Sequence, residues 1–320
     1  MPEQRKLIKL GNSSFAIALP KEWIEKSGLK KGDNIFVERN SNGELIVQSK
    51  YKKLNGEKEI KINTKGKDNT SIWREFNAAY VNGYDIFTFD ESLKKEKLNL
   101  IKRITKTLLS LEVVETKDKI VIKDYFNLEE TNPENFIRRM DNNFREMLNL
   151  LIEILKRRKA TIKDGKNIQE IDGDITKFYF LFSRIFFKGI DNPIILTTLK
   201  INSSELFDYW WLAFNIERMG DQVKEIVKIM KQGSPNEKKS DKILSCLIKI
   251  KKIYVDSMES FYKHSNVLAL ETVSEGKKIL EFCDRFSNDK NTCVAKLSLK
   301  LKEIENLIYH NLKIILYTKE

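Results

Sequence analysis

The C-terminal part of the sequence, from residue 133 onwards, carries a helical pattern throughout. Its apolar residues recur three or four positions apart, which places them on one face of an α-helix. Stretches rich in turn residues, at 164–166, 188–193 and 232–235, interrupt the pattern. Six helices are therefore predicted, at 133–159, 167–187, 203–231, 237–264, 267–287 and 292–318. Three helices repeated twice, with short connections, indicate an all-α bundle.

The first 50 residues have a different pattern, in which short strand signals alternate with turn residues. Strands are predicted at 5–10, 15–19, 34–39 and 44–49, and one short helix at 21–27. Pro20 suits the start of that helix, where a missing N–H costs nothing, and Gly28 suits its end. Asn42-Gly43 favours a hairpin turn between the last two strands. This segment is predicted to be a small β domain.

The middle of the chain mixes the two patterns after a charged linker at 50–58. Strands are predicted at 57–64, 84–89, 112–115 and 119–125, with helices at 69–81 and 92–109. The chain is therefore predicted to be a multidomain α+β protein. Its domains are expected at 1–53 (β), 55–128 (a small α+β module without a catalytic motif) and 133–320 (all-α).

The charge and cysteine content narrow the class of protein. The net charge is +12, and residues 1–53 contain 11 Lys and Arg against 6 Asp and Glu, which favours a polyanionic partner. No run of 18 uncharged apolar residues occurs, so stable membrane insertion is not expected. The N-terminus lacks an apolar signal core, and the three cysteines lack CxxC spacing. We therefore expect a cytoplasmic protein with reduced thiols.

Carboxylates interrupt the apolar stripe of the helix predicted at 203–231. Glu217 and Asp221 continue the face that Trp210 and Ala213 begin. Carboxylates that point toward a bundle core cost free energy unless they are paired or bind a cation. The helix predicted at 167–187 also carries acids, which are Glu170, Asp172 and Asp174.

If these two helices are neighbours, up to five carboxylates converge. Oxygen ligands of this kind suit a hard cation, either divalent or ferric. The predicted metal ligands are Glu170, Asp172, Asp174, Glu217 and Asp221. In the alternative interpretation, the acids near the helix start complement the helix dipole. Glu217 then pairs with Arg218 or Lys224 of its own helix.

Two short segments carry a family resemblance. Residues 215–222 read Asn-Ile-Glu-Arg-Met-Gly-Asp-Gln and residues 171–174 read Ile-Asp-Gly-Asp. Both resemble signatures of PhoU proteins, which regulate phosphate uptake. The resemblance implies two three-helix bundles over 133–318, metal binding as in some members, and a phosphate transporter ATPase or sensor protein as partner. Phe178 stands where the family often has an acid or amide, and the last helix lacks Gly-Asp. We therefore expect one metal site at most, in the first bundle.

The stretch from Lys9 to Val37 runs strand, Gly turn, strand, Pro-started helix, Gly turn, strand. It resembles the AbrB/SpoVT (MazE-like) swapped-hairpin domain, a dimeric module usually used to bind DNA. Its fusion to a PhoU-like region resembles an archaeal type of phosphate uptake regulator. The resemblance implies a homodimer, and the candidate DNA-binding residues are Arg5, Lys6, Lys9, Ser13, Ser14 and Lys21. Asn12, Ile24 and Glu25 replace basic residues of the family, which favours dimerisation over sequence-specific readout.

The leading hypothesis is a regulator of phosphate uptake that dimerises and binds DNA through its N-terminal domain. The alternative is a signalling protein that binds a phosphate transporter or sensor kinase and uses the N-terminal domain only to dimerise. A metallo-carboxylate enzyme would need an open site with an acid or base, and the sequence shows none. His264 and His310 lack a Glu three residues earlier, as a di-iron site requires. The protein is therefore not expected to be an enzyme.

Overall fold

The chain folds into two compact units, Met1–Gly56 and Glu57–Glu320. A computed structural model describes residues 3–39, 43–49, 57–89, 95–115, 120–190 and 192–317. Asn42 of the predicted hairpin turn, residues 50–56 of the linker and the start of the helix predicted at 92–109 lie outside these ranges. The predicted fold class is confirmed, since a small β region precedes a mixed module and a long helical region.

The first unit consists of two β-hairpins and one short helix. Its elements are β1 (Leu7–Leu10), β2 (Ser14–Ile17), α1 (Lys21–Lys26), β3 (Phe36–Arg39) and β4 (Leu45–Gln48). β1 pairs antiparallel with β2, and β3 pairs antiparallel with β4. Gly11, at φ +70°, makes the turn between β1 and β2, a backbone conformation that glycine adopts at little cost. Pro20 directly precedes α1 and caps it.

The second unit begins with a four-stranded sheet covered by helices. Its elements are β5 (Glu59–Ile62), α2 (Asn69–Val81), β6 (Ile86–Phe89), α3 (Lys95–Lys106), β7 (Leu111–Glu115) and β8 (Ile120–Asp124). The strand order is β5-β6-β8-β7, with β5 and β6 parallel and the other neighbours antiparallel. The Asp68 carboxylate starts α2 by accepting from the Ser71 N–H at 2.7 Å. Phe76 of α2 stacks on Phe87 of β6 in the core.

The helical part contains six long helices and one short one. They are α4 (Pro133–Lys156), α5 (Ile162–Ile190), α6 (Pro193–Leu199), α7 (Ser203–Gln232), α8 (Glu237–Tyr262), α9 (Asn266–Ser287) and α10 (Thr292–Tyr317). The six long helices share one continuous hydrophobic core. None of the helices in the described part of the chain has the length and apolar character needed to span a membrane.

Two predicted breakers are in fact parts of helices. At 164–166, the Thr161 hydroxyl accepts from the Asp164 N–H, and the Asp164 carboxylate accepts from the Thr161 N–H at 2.7 Å. This reciprocal capping starts α5 at Ile162, so Gly165 lies inside the first turn and does not end a helix. At 188–193, α5 continues to Ile190 and Asn192 caps the short α6.

A buried arginine joins the sheet module to the bundle. Arg184 of α5 is 1% exposed. Its guanidinium donates to the backbone oxygens of Tyr80 and Tyr84, and to the carboxylates of Asp85 and Asp124 at 2.7 Å each. One hydrophobic core is formed by buried residues between 62 and 122, and the other by buried residues between 137 and 315. These contacts hold both cores within one compact unit.

Candidate carboxylate site in the helical bundle

The candidate site lies where α5 packs along α7. The predicted carboxylate cluster required these two helices to be neighbours. Asp172 of α5 is buried, with 5% of its surface exposed. Lys224 of α7 donates to the Asp172 Oδ2 at 2.6 Å and contacts the Asp221 Oδ1 at 2.7 Å. One ammonium group therefore bridges two carboxylates on neighbouring helices.

A glycine allows this close approach of the helices. A Cβ atom at Gly220 would lie 3.0 Å from the Asp172 Oδ1, closer than side chains normally pack. The glycine of the Glu-Arg-Met-Gly-Asp segment thus makes room for a carboxylate of the neighbouring helix. That Asp172 Oδ1 is buried and has no hydrogen-bond partner among the described residues.

The site raises the pKa of Glu217 and the pKa of Asp172. Burial raises the pKa of Glu217 to about 7, and the nearby charges of Asp221 and Asp172 add to the effect. Burial also raises the pKa of Asp172, although Lys224 opposes the shift. Desolvation lowers the pKa of Lys224, but its bonds to Asp172 and Asp221 raise it overall. Lys224 is therefore the cation of the site.

Of the five predicted ligands, the structure brings three together and leaves two apart. Asp172, Glu217 and Asp221 form the cluster, whereas Glu170 and Asp174 lie on the exposed side of α5. The Asp174 Oδ1 accepts from its own neighbour Lys177 at 2.8 Å. Glu170 and Asp174 therefore do not join the cluster, because residues two positions apart on a helix point in nearly opposite directions.

The predicted DNA-binding residues all lie on the surface of the N-terminal unit. Arg5 and Lys6 precede β1, Lys9 lies within it, Ser13 is in the turn, Ser14 starts β2 and Lys21 starts α1. The lysines of α1 are paired within the helix, as Lys21 with Glu25 at 3.6 Å and Lys26 with Glu22 at 2.6 Å. Lys6 and Lys9 have no carboxylate partner within the part of the chain that the structure describes, whereas Arg5 contacts Glu3.

Comparison with protein-family models agrees with the two resemblances. The model for MazE, a bacterial antitoxin described as antidote-toxin recognition, matches residues 8–55. The PhoU domain model matches residues 137–230, which contain the carboxylate cluster. Residues 8–55 are thus similar to a MazE-type domain, and residues 137–230 are similar to a PhoU domain. No curated protein and no solved structure matches the chain.

The metal that some PhoU proteins bind does not fit the side chains as they lie here. The Lys224 ammonium occupies the space between Asp172 and Asp221 that a cation would need. Over the described ranges, no group of three or more His, Cys, Asp or Glu side chains has a metal-binding arrangement. A metal in the PhoU-like segment therefore stays a prediction from the resemblance. The internal ion pairs of the site join Lys224 to Asp172 and Asp221, whereas the alternative interpretation placed the pair at Glu217.

Beyond the matched PhoU segment, the bundle holds another buried acid that sequence reasoning did not single out. Glu305 of α10 is 4% exposed, and a Cβ at Gly276 of α9 would clash with its carboxylate. Burial raises the pKa of Glu305 to about 7. The signal was present in the sequence, since Glu305 continues the apolar stripe of Leu301 and Ile308.

Proposed function

We propose that this protein is a cytoplasmic homodimeric regulator of phosphate uptake that binds DNA through its MazE-type domain. The PhoU domain supports a role in phosphate homeostasis, and the MazE-type domain supports DNA binding or dimerisation. In this proposal the helical unit transmits phosphate status through a partner protein and carries out no catalysis.

The observation that carries the proposal is the apolar surface of the N-terminal unit. Leu7, Phe15 and Leu45 are each more than 60% exposed. No residue of this unit is buried where its exposure is described. Isolated two-stranded hairpins are at best marginally stable in water, and exposed apolar patches of this kind mark interaction surfaces.

Apolar side chains occupy both faces of the β1–β2 hairpin. Leu7 lies opposite Ile17 on one face, and Ile8 lies opposite Ala16 on the other. A strand pair that is apolar on both faces is typical of a buried sheet. A second copy that interleaves its hairpins with these would cover both faces, whereas simple side-by-side contact would cover only one.

Basic groups at the start of β1 support contact with DNA phosphates. Arg5, Lys6 and Lys9 are all exposed. Contacts from such side chains to phosphate set affinity and register but not sequence preference. Because the lysines of α1 are ion-paired, the proposal places the main DNA contacts on the strand side of the domain.

Fluorescence anisotropy with a labelled duplex from a promoter of phosphate-transport genes tests the DNA part. Wild-type protein should bind at low salt and lose affinity steeply between about 50 and 200 mM salt. The Arg5→Ala/Lys6→Ala/Lys9→Ala variant should bind roughly tenfold or more weakly and with a shallower salt dependence. A matched control, Lys163→Ala/Lys166→Ala/Lys277→Ala, removes the same charge from exposed positions of the helical unit. No binding by wild type at low salt would overturn this part.

The second candidate function is signalling without DNA, which the intrahelical ion pairs of α1 favour. Glu22 and Glu25 pair with the two lysines of α1, which leaves this helix with little free positive charge for a duplex. In this case the protein binds a phosphate transporter ATPase or a sensor protein, and the MazE-type domain only dimerises. Co-purification of that partner from cells lysed at low salt should then persist in the Arg5→Ala/Lys6→Ala/Lys9→Ala variant. Loss of the partner in that variant would contradict the second candidate.

A further inference from the structure

A groove runs between α8 and α9 on the outside of the bundle. The two helices are antiparallel, since Lys252 contacts Glu275 at 2.7 Å and the Cys246 Sγ lies 3.9 Å from the Cys283 Sγ. The groove encloses a cavity of about 450 Å³. Its lining on α8 extends from Lys242 to Ile253, a length of about 16 Å at the helical rise per residue.

The floor of this groove is apolar. Cys246 and Ile253 of α8 and Ile279 and Phe282 of α9 line it. The two α8 residues are seven positions apart, so they lie on one stripe of the helix. A partner that fills the groove must therefore present a narrow apolar ridge about three helical turns long.

The rim of the groove is positively charged. Lys242, Lys249 and Lys278 are exposed along it. Lys249 and Lys278 have no carboxylate partner within the described residues, and Lys242 lies over the Phe286 ring at 5.5 Å. The remaining rim charges, Lys252 and Glu275, pair across the groove and close one end. The open part of the rim is thus purely cationic.

We propose that this α8–α9 groove binds an acidic amphipathic helix of a partner protein. The apolar stripe of that helix lies on the floor, and its flanking Asp or Glu side chains contact Lys242, Lys249 and Lys278. A flat membrane surface would not reach the recessed floor. A small anion would contact only one part of the rim, because the rim lysines are spread over several helical turns. The inference concerns the helical unit alone and does not depend on DNA binding.

Peptide binding to the full-length protein tests this inference. The probe is a fluorescein-labelled amphipathic helix of about four turns, with a leucine stripe flanked by glutamates. Its matched control carries glutamine in place of every glutamate. The acidic peptide should bind more tightly than the glutamine peptide, and its affinity should fall as salt rises. Lys249→Glu/Lys278→Glu should weaken its binding by about tenfold or more.

Two control variants separate the groove from general charge and folding effects. Lys238→Glu/Lys277→Glu makes the same charge change on the same helices at exposed positions outside the groove. It should leave binding unchanged. Ser245→Trp should obstruct the groove without a change of charge, whereas Ile248→Trp places the same bulk on an exposed position beyond it. Circular dichroism melting confirms that each variant is folded.

Three outcomes would overturn the inference. The first is equal binding of the acidic peptide by wild type and by Lys249→Glu/Lys278→Glu. The second is binding of the glutamine peptide as tight as that of the acidic one. The third is a lower sedimentation mass, without peptide, for both Lys249→Glu/Lys278→Glu and Ser245→Trp than for wild type. That result would assign the groove to a contact between copies of this chain.

Discussion

At the scale of single residues, Lys224 decides the chemistry of the carboxylate cluster. It holds Asp172 and Asp221 at hydrogen-bond distance, so the positive charge that the buried Asp172 requires comes from within the chain. The structure gathers three of the five predicted acids, and the reason is geometric. Glu217 and Asp221 lie on the predicted stripe of α7, but acids at alternate positions of α5 cannot share one face. Whether any of them binds a metal stays a prediction.

Replacement of Lys224 by methionine should destabilise the protein. It leaves Asp172 buried without its counter-ion, and we expect a loss of about 1–3 kcal/mol in the free energy of unfolding. Lys228→Met is the control, since Lys228 lies one turn further along α7 in an exposed pair with Glu225. Its effect should stay within about 1 kcal/mol. Urea unfolding of both variants measures the difference, and equal effects would contradict the role of Lys224.

The buried Glu305 should make stability depend on pH. Its pKa in the folded protein is about 7, above the value of about 4.3 in an unfolded chain. Between these values the unfolded chain releases a proton that the folded chain keeps, so stability falls as pH rises.

The Glu305→Gln variant should therefore lose less stability than wild type between pH 5 and pH 8, by about 1–3 kcal/mol. Glu303→Gln, on a more exposed neighbour paired with Arg218 and Lys300, serves as the control. Urea unfolding across this pH range measures both variants. A wild type and a Glu305→Gln variant with parallel pH profiles would show that Glu305 is not held in its neutral form.

At the scale of elements, two of the glycines of α5 differ in how closely their surroundings pack. A Cβ at Gly189 would come 2.7 Å from a methyl group of the buried Leu206, whereas a Cβ at Gly173 would meet nothing within 4 Å. Gly189→Ala should therefore cost about 1–3 kcal/mol through overpacking. Gly173→Ala should stabilise by about 0.5–1 kcal/mol, because alanine is the better helix former. Thermal melts that move both variants in the same direction would contradict this reading of α5.

Helix ends show what the sequence could predict at this scale and what it could not. The starts of α7, α8 and α9 lie within one residue of their predicted positions. In the structure, Asn202, Asn236 and Ser265 cap these three helices. The start of α5 at Ile162 was not predicted, because Gly165 indicated a turn at 164–166. In the structure, Thr161 and Asp164 cap the helix at this point. The contact of Arg184 with the sheet module also escaped prediction, because it joins residues about 100 positions apart.

At the scale of the whole molecule, the two compact units differ in how they are stabilised. The unit Glu57–Glu320 has two hydrophobic cores of its own. The unit Met1–Gly56 has exposed strands and no buried side chain among its described residues. Folding free energy comes mainly from apolar burial. The unit Glu57–Glu320 has this burial within its own cores, and we expect the N-terminal unit to gain it from a second copy, as proposed above.

Dimerisation should therefore depend on the N-terminal strands alone. Wild-type protein should sediment at about twice the monomer mass of 37.6 kDa. Phe15→Asp/Ile17→Asp should sediment as a monomer, because burying two carboxylates in an apolar interface is costly. Gln4→Asp/Asn34→Asp, which adds the same charge at exposed polar positions, should remain a dimer. Circular dichroism should show unchanged helix content in both variants. A dimeric Phe15→Asp/Ile17→Asp variant would place the dimer contact in the helical unit instead.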